Sequence, residues 1–198
     1  MRATTILFSF TLALAACSDA PAAPQAQGNR AVAVFAGGCF WCTEADFDKM
    51  PGVLSTTSGY TGGSTPNPTY EQVSGSDTGH IEAVQVVYDP RRISYAQLTE
   101  RFFRTVDPLD AGGQFCDRGA SYRTALFVTP QQQAAAEAAR ARAAAQLKKP
   151  IATAILPAAT FYPAEGYHQD YYKKNPVKYR YYRWRCGRDA RLQEVWGK

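Results

Sequence analysis

The chain has 198 residues, 45% hydrophobic and 20% charged, which is globular composition and excludes a disordered or collagen-like protein. Net charge is +5, from 22 basic and 17 acidic residues, too mild an excess to argue for a nucleic-acid partner. The sole long apolar run is N-terminal, which excludes a multi-span membrane protein, and five cysteines are too few for a disulfide scaffold and odd in number.

Met1–Cys17 opens with one basic residue, Arg2, followed by the apolar stretch Ile6–Ala16. Eleven residues are too few to span a bilayer as a helix, and the pattern is that of a signal peptide. Its end, Leu14-Ala15-Ala16-Cys17, resembles the lipobox of bacterial lipoproteins, where cleavage before the cysteine leaves it lipidated. The competing reading is an ordinary signal peptide cleaved near Ala16. A cysteine directly after a small-residue site favours the lipobox. Residues 18–29, SDAPAAPQAQGN, read as a flexible tether, so one folded domain is expected over residues 30–198. Removing Arg2 leaves 21 basic and 17 acidic residues, net +4, which changes nothing about partners. Export to the periplasm is expected. Because Ser18 is not Asp, resemblance to lipoprotein sorting places the anchor at the outer membrane.

Within the domain, Ala31–Ala36 is an apolar run ended by Gly37-Gly38, a buried-strand signal. Thr43–Met50 predicts a helix stopped by Pro51-Gly52, and Val53–Ser58 a strand. Gly59–Thr69 is Gly/Pro/Asn loop, and Ile81–Tyr88 is a strong strand closed by Asp89-Pro90. Ser94 caps a helix to about Thr105, with Leu98, Phe102, Phe103 and Val106 at helical spacing. A long polar loop follows over Asp107–Gly119, then a strand over Ser121–Val128. Thr129-Pro130 opens an Ala-rich helix to about Leu147, Ile151–Leu156 is a last strand, and Gln169–Lys174 a short helix. This order predicts an α+β two-layer sandwich around one mixed β-sheet, with a ferredoxin-like core and a long C-terminal coil.

Gly37-Gly38-Cys39-Phe40-Trp41-Cys42 carries the chemistry. Cys39 falls where the first helix should start, and the N–H groups and dipole of a helix N-terminus favour a thiolate, so a depressed pKa is expected. Phe40 and Trp41 read as a pocket wall; the bland alternative is a small buried thiol with core aromatics. Cys39 and Cys42 also form a C-x-x-C. It could be a thioredoxin-like redox pair, half of a zinc site completed by Cys116, Cys186 or a histidine, or a nucleophile with a second thiol beside it. Zinc is weakest, because Cys116 and Cys186 are isolated in sequence.

Ordered motifs then match a known family. Gly38-Cys39-Phe40-Trp41, Gly59-Tyr60-Thr61-Gly62-Gly63 with Pro66-Asn67-Pro68-Thr69-Tyr70, Gly79-His80-Ile81-Glu82-Ala83-Val84 and Gln114-Phe115-Cys116-Asp117-Arg118-Gly119 with Tyr122-Arg123 resemble the A-type peptide-methionine sulfoxide reductases. Gly166-Tyr167-His168-Gln169-Asp170-Tyr171 extends the match. The departure is Cys42, where many members have Gly. The resemblance implies that Cys39 attacks the sulfur of the S epimer of methionine sulfoxide, becomes a sulfenic acid, and is resolved to a disulfide that an external thioredoxin-type dithiol reduces, with no metal or organic cofactor.

By the same resemblance Glu82 supplies the proton, Tyr70 and Tyr122 hydrogen-bond the sulfoxide oxygen, Asp117 helps orient the site, and Phe40 and Trp41 cage the methyl group. Strand alternation puts Glu82 on the face of Val84 and Val86, where lost solvation raises a carboxyl pKa; a strand-end carboxylate reaching water fits the pattern equally well, and the resemblance decides for the acid. The resolving candidates are Cys186 and Cys42, with Cys186 ranked slightly first because many members resolve through a C-terminal cysteine, and a relay through a disulfide not involving Cys39 is expected. His80 and His168 are read as structural. The tail Tyr171–Arg185 holds six basic and six aromatic residues; single-stranded nucleic acid is the sharper reading, but a solvated basic face is preferred and no nucleic acid is expected. The expected protein is a monomer acting on oxidised proteins and peptides. Its rivals are a general thiol–disulfide oxidoreductase using Cys39 and Cys42, and a surface lipoprotein binding apolar ligands.

Overall fold

Four strands of alternating or wholly apolar sequence build the centre of the sheet: β1 (Ala31–Gly37), β2 (Val53–Thr61), β3 (Ile81–Tyr88) and β6 (Thr124–Val128). In the computed structural model, which describes Met1 and residues 29–75 and 77–197, they are joined by β7 (Ala154–Pro157) and β8 (Phe161–Pro163) in the order β7-β6-β1-β3-β2-β8. The inner four pair antiparallel in the order β6-β1-β3-β2, a ferredoxin-like core, and β7 joins β6 in parallel, which makes the sheet mixed. A two-residue hairpin of β4 (Gly113–Gln114) and β5 (Asp117–Arg118) interrupts the long loop before β6. Residues 2–28, including Cys17 and almost all of the expected tether, lie outside the described residues.

One sheet face carries Phe35, Val84, Val86, Leu126 and Val128 into the main core. It is covered by α1 (Phe40–Phe47), α3 (Tyr95–Phe103) and α4 (Pro130–Leu147), which contribute Phe47, Phe102 and the small buried face Ala136, Ala139 and Ala143. Ile81, Ala83, Ala125 and Phe127 form a smaller cluster on the other face. The predicted caps stand: Ser94 Oγ accepts from Gln97 N at 3.2 Å while Ser94 N donates to Gln97 Oε1 at 2.9 Å, and Pro130 opens α4.

Three expectations need correcting. The loop predicted from Gly59 begins later, because β2 continues to Thr61 and β8 pairs with it. Glycine is required there: a Cβ on Gly59 would come within 2.4 Å of the Tyr162 carbonyl. The five-residue helix α2 (Tyr70–Ser74), capped by Thr69, was not legible as such. The long C-terminal coil is absent: after α5 (Tyr171–Lys174), the chain forms α6 (Pro176–Arg185) and α7 (Arg188–Trp196), separated by Gly187 in a left-handed conformation. Neither has a clean apolar stripe. Tertiary contacts hold them: Tyr179 and Trp196 are buried, and Trp196 Nε1 donates to Val106 O at 3.1 Å.

A Cys116–Cys186 disulfide, closing a sequence separation of 70, ties the end of α6 to the β4–β5 hairpin. By loop-closure entropy such a link is worth about 4 kcal/mol at most. Cys116→Ser is expected to lower unfolding free energy by about 2–4 kcal/mol in denaturant titration. Reductant should lower the wild type to the same level and leave the variant unmoved.

Candidate active site

The strand-to-helix turn works as the Gly-Gly predicted. Gly38 adopts φ +78°, and a Cβ there would lie 2.5 Å from Gln114 Cβ. Gln114 is itself fully buried and pinned by Asp107 N, Asp107 O and Gly113 O, so it forms a rigid wall behind the turn. Cys39 is the N-cap of α1 and only 7% exposed.

The depressed pKa expected of Cys39 is not what the structure gives. Burial pushes its thiol well above the ordinary value, its hydrogen bond with Cys42 acts in the same direction, and negative charge on Cys42, Glu82 or Asp117, wherever those groups ionise, adds to the rise. The helix N-terminus does not serve the sulfur: the Cys39 side chain makes no cap hydrogen bond, and the first helical N–H, that of Phe40, donates to Glu82 Oε2 at 2.9 Å. Glu82 is 2% exposed, and burial lifts its carboxyl to about 8 against the Phe40 hydrogen bond, with Asp117 adding to the rise. The side chain that alternation placed on the core face is therefore a neutral acid at neutral pH, one hydrogen bond away from the residue after Cys39.

Around this pair the structure gathers the other residues singled out. Tyr70 and Tyr122 are hydrogen-bonded to each other, and burial raises both. Asp117 is also raised by burial, opposed by the hydroxyl of Tyr182, which donates to its Oδ2. Trp41 stacks on Tyr171 with centroids 3.8 Å apart and meets Tyr182 edge-on at 5.7 Å. Of the two aromatics after Cys39, Trp41 keeps accessible surface, while Phe40 is sealed against Tyr60 and His168. Cys42 is buried beside Tyr179, with its thiol free. The hydrogen bond from Cys39 lowers Cys42 to about 7 against burial, and Arg188 and Arg183 lower it further. Cys186 is bonded to Cys116, so the two cysteines a zinc reading would have added to the C-x-x-C are committed to each other.

His168, read as structural, braces the site as expected, and Glu165 is the framing residue that sequence reasoning missed. His168 accepts from Trp41 Nε1 at Nδ1, 3.0 Å away, and burial lowers its pKa, so it is a neutral brace. Glu165 accepts from Tyr70 N and the Tyr60 hydroxyl at 2.9 and 2.8 Å. Gln169 clamps Ser58 through both backbone groups. The Gly166–Tyr171 motif was the available signal for this segment, though its partners lie far away in sequence. His80 is structural: its ring bonds Gly63 N and Thr65 O. The arrangement can therefore present a thiol, a buried neutral acid and two tyrosine hydroxyls to one polar oxygen beside an aromatic wall, with a second thiol next to the first.

Residues 31–198 match the family model described as Peptide methionine sulfoxide reductase. A Caulobacter vibrioides protein, Peptide methionine sulfoxide reductase MsrA 2, is 55% identical over 199 residues, covering 100% of both chains. The Bacillus subtilis Peptide methionine sulfoxide reductase MsrA is 52% identical over 172 residues, 85% of this chain and 97% of that one. Among solved structures, Mxr1 from Saccharomyces cerevisiae in reduced form superposes with TM-score 0.72 at 34% identity, covering 75% of this chain and 87% of that one. Methionine sulfoxide reductase A of Corynebacterium diphtheriae gives 0.68 at 34% identity, over 76% and 77%.

Proposed function

The chain belongs to the peptide methionine sulfoxide reductase family and is an enzyme that reduces methionine sulfoxide, and on that premise we propose that it reduces the S epimer, free or in oxidised proteins, through Cys39 and the protonated carboxyl of Glu82. Trp41 receives the methyl group, while Phe40, expected beside it, is sealed against Tyr60 and His168, and Tyr70 and Tyr122 hold the oxygen. Glu82, with Oε2 engaged by Phe40 N, gives its proton to the sulfoxide oxygen as Cys39 attacks the sulfur, and takes up the thiol proton in return. The S–S bond made by that attack breaks as the protonated oxygen passes to Cys39, leaving a sulfenic acid and free methionine: one sulfur is reduced, the other oxidised, and no proton is gained or lost. Asp117, tied to Tyr182, orients the site. The observation that carries this is the Phe40–Glu82 hydrogen bond, which fixes a buried acid beside the nucleophile.

Cys42 then closes the disulfide, ahead of Cys186, because its thiol is free and hydrogen-bonded to Cys39 while Cys186 is occupied by Cys116. A thioredoxin-type dithiol supplies the electrons. Cys116 is exposed, so its bond to Cys186 faces such a dithiol, as a relay requires. The test offers an epimer-resolved methionine sulfoxide peptide and a dithiol: the S epimer should be consumed, the R epimer left. Reduction of insulin-type disulfides without sulfoxide turnover would favour a general thiol–disulfide oxidoreductase instead.

The protein acts as a periplasmic monomer, anchored to the outer membrane by a lipid on Cys17. Wild type is expected to fractionate with membranes and label with a palmitate analogue, and Cys17→Ala to do neither. An unmodified, soluble wild type beginning at or after Cys17 would rule out the anchor.

A further inference from the structure

Cys42 and Asp46 stand four residues apart on α1 and so share a face. Two guanidinium groups from the C-terminal helices reach that face: Arg183 Nη1 lies 2.9 Å from Asp46 Oδ1, and Arg188 Nη2 lies 3.6 Å from Asp46 Oδ2. Arg183 also donates to the hydroxyl of Tyr179, which packs against Cys42. The side chains of Arg183, Arg188 and Asp46 are 16%, 2% and 10% exposed. The buried Arg188 thus shares the half-buried Asp46 with the half-buried Arg183, and an uncompensated buried charge is costly. Asp189, the other partner of Arg183, is 67% exposed and screened by water. Arg188 is otherwise met by the carbonyls of Thr105 and Gly37 and the ring of Phe115, and its Nε has no partner. Arg183 is held by both Asp46 and Asp189, but the buried Arg188 has Asp46 at 3.6 Å as its one ionic partner among the described residues, and Cys42, one turn before Asp46, is placed to supply a second anion.

We propose that Arg183 and Arg188 hold Cys42 as a thiolate at neutral pH, and so are positioning residues for its attack on the Cys39 sulfenic acid. This rests on Cys42 being the resolving thiol. The thiolate sulfur bonds to the Cys39 sulfur, the S–O bond breaks, and hydroxide leaves, becoming water with one proton. Cys39 sulfur is reduced from sulfenic acid and Cys42 oxidised, both reaching the disulfide level. The groups facing Cys42 are Cys39 at the head of α1, Asp46 on α1, Tyr179 and Arg183 on α6, and Arg188 on α7. Glu82 also feels the Cys42 charge, but burial keeps it protonated at neutral pH, and Asp117 is occupied by Tyr182. Cys42 is lowered to about 7, first by the hydrogen bond from Cys39 and then by Arg188 and Arg183, and the arginines' share agrees with the geometry.

The test titrates Cys42 in the full chain carrying Cys17→Ser and Cys39→Ser, disulfide intact, by ultraviolet thiolate absorbance. A midpoint below the ordinary thiol value of about 8.5 is expected even without the Cys39 thiol. Arg188→Met should cut the thiolate-to-thiol ratio about tenfold, and Arg188→Lys should restore most of it. With Cys39 present and one equivalent of sulfoxide, Arg188→Met should slow disulfide closure about fivefold more than methionine release at neutral pH. A midpoint at or above the ordinary thiol value of about 8.5 overturns the proposal even if Arg188→Met fails to fold. So does closure at the wild-type rate in folded Arg188→Met. Normal closure in Cys42→Ser overturns the resolving role itself, whatever Cys42 titrates at.

Discussion

Cys39→Ser is expected to abolish sulfoxide reduction, with a loss of at least about a thousandfold in kcat/KM. A hydroxyl at the same N-cap is neither ionised nor able to deliver its oxygen pair to sulfur as a thiol does. Fold should survive, because serine is nearly equal in size and its hydroxyl can replace the thiol in the hydrogen bond with Cys42. The measurement is single-turnover methionine release from a methionine sulfoxide peptide, with thermal unfolding as the control. Residual activity near wild type would show that another thiol attacks. Cys42 is the obvious rival, since it carries the lower pKa of the pair in the resting protein. The raised pKa of Cys39 is compatible with attack because the acid beside it can take the thiol proton as its own leaves.

Glu82→Gln is expected to slow the first turnover by about a hundred- to ten-thousandfold, the usual worth of a positioned proton donor. The amide can still accept from Phe40 N, so geometry and substrate binding should hold while kcat falls. The pH dependence has a definite sign. Glu82 works as an acid, so the first-step rate is full below about 8 and declines as pH rises through that value. In Glu82→Gln the decline should vanish along with most of the rate. Measuring the first turnover alone matters, because Cys42 titrates near 7 and its ionisation belongs to the later disulfide step.

What could be read from sequence follows the range of the interaction involved. Ile81–Tyr88 coincides with β3 from end to end; alternation put Glu82 on the face of Val84 and Val86 but left a carboxylate reaching water equally open, and the family resemblance decided for the buried acid the structure shows. The Ser94 cap and the Pro130 start are local devices and stand as read. The features that were not legible depend on partners distant along the chain. Trp41 and His168 are 127 residues apart, and Asp117 and Tyr182 are 65 apart. The Cys116–Cys186 bond spans 70, so neither cysteine announced its partner. α6 and α7 read as coil because their basic and aromatic residues carry no simple period, and nothing local in sequence marks Arg188 as buried. Helix position correctly placed Cys39 but not its proton: the free N–H at that terminus was already claimed by Glu82.

The central claim, that Cys39 takes the sulfoxide oxygen, is tested most directly by trapping. Cys42→Ser protein is given one equivalent of the S-epimer peptide without reductant, and the sulfenic acid is captured with a dione probe and located by mass spectrometry. One probe adduct on Cys39 for each methionine released is the predicted result. Methionine release with no adduct on Cys39, or with the adduct on another cysteine, would contradict the account.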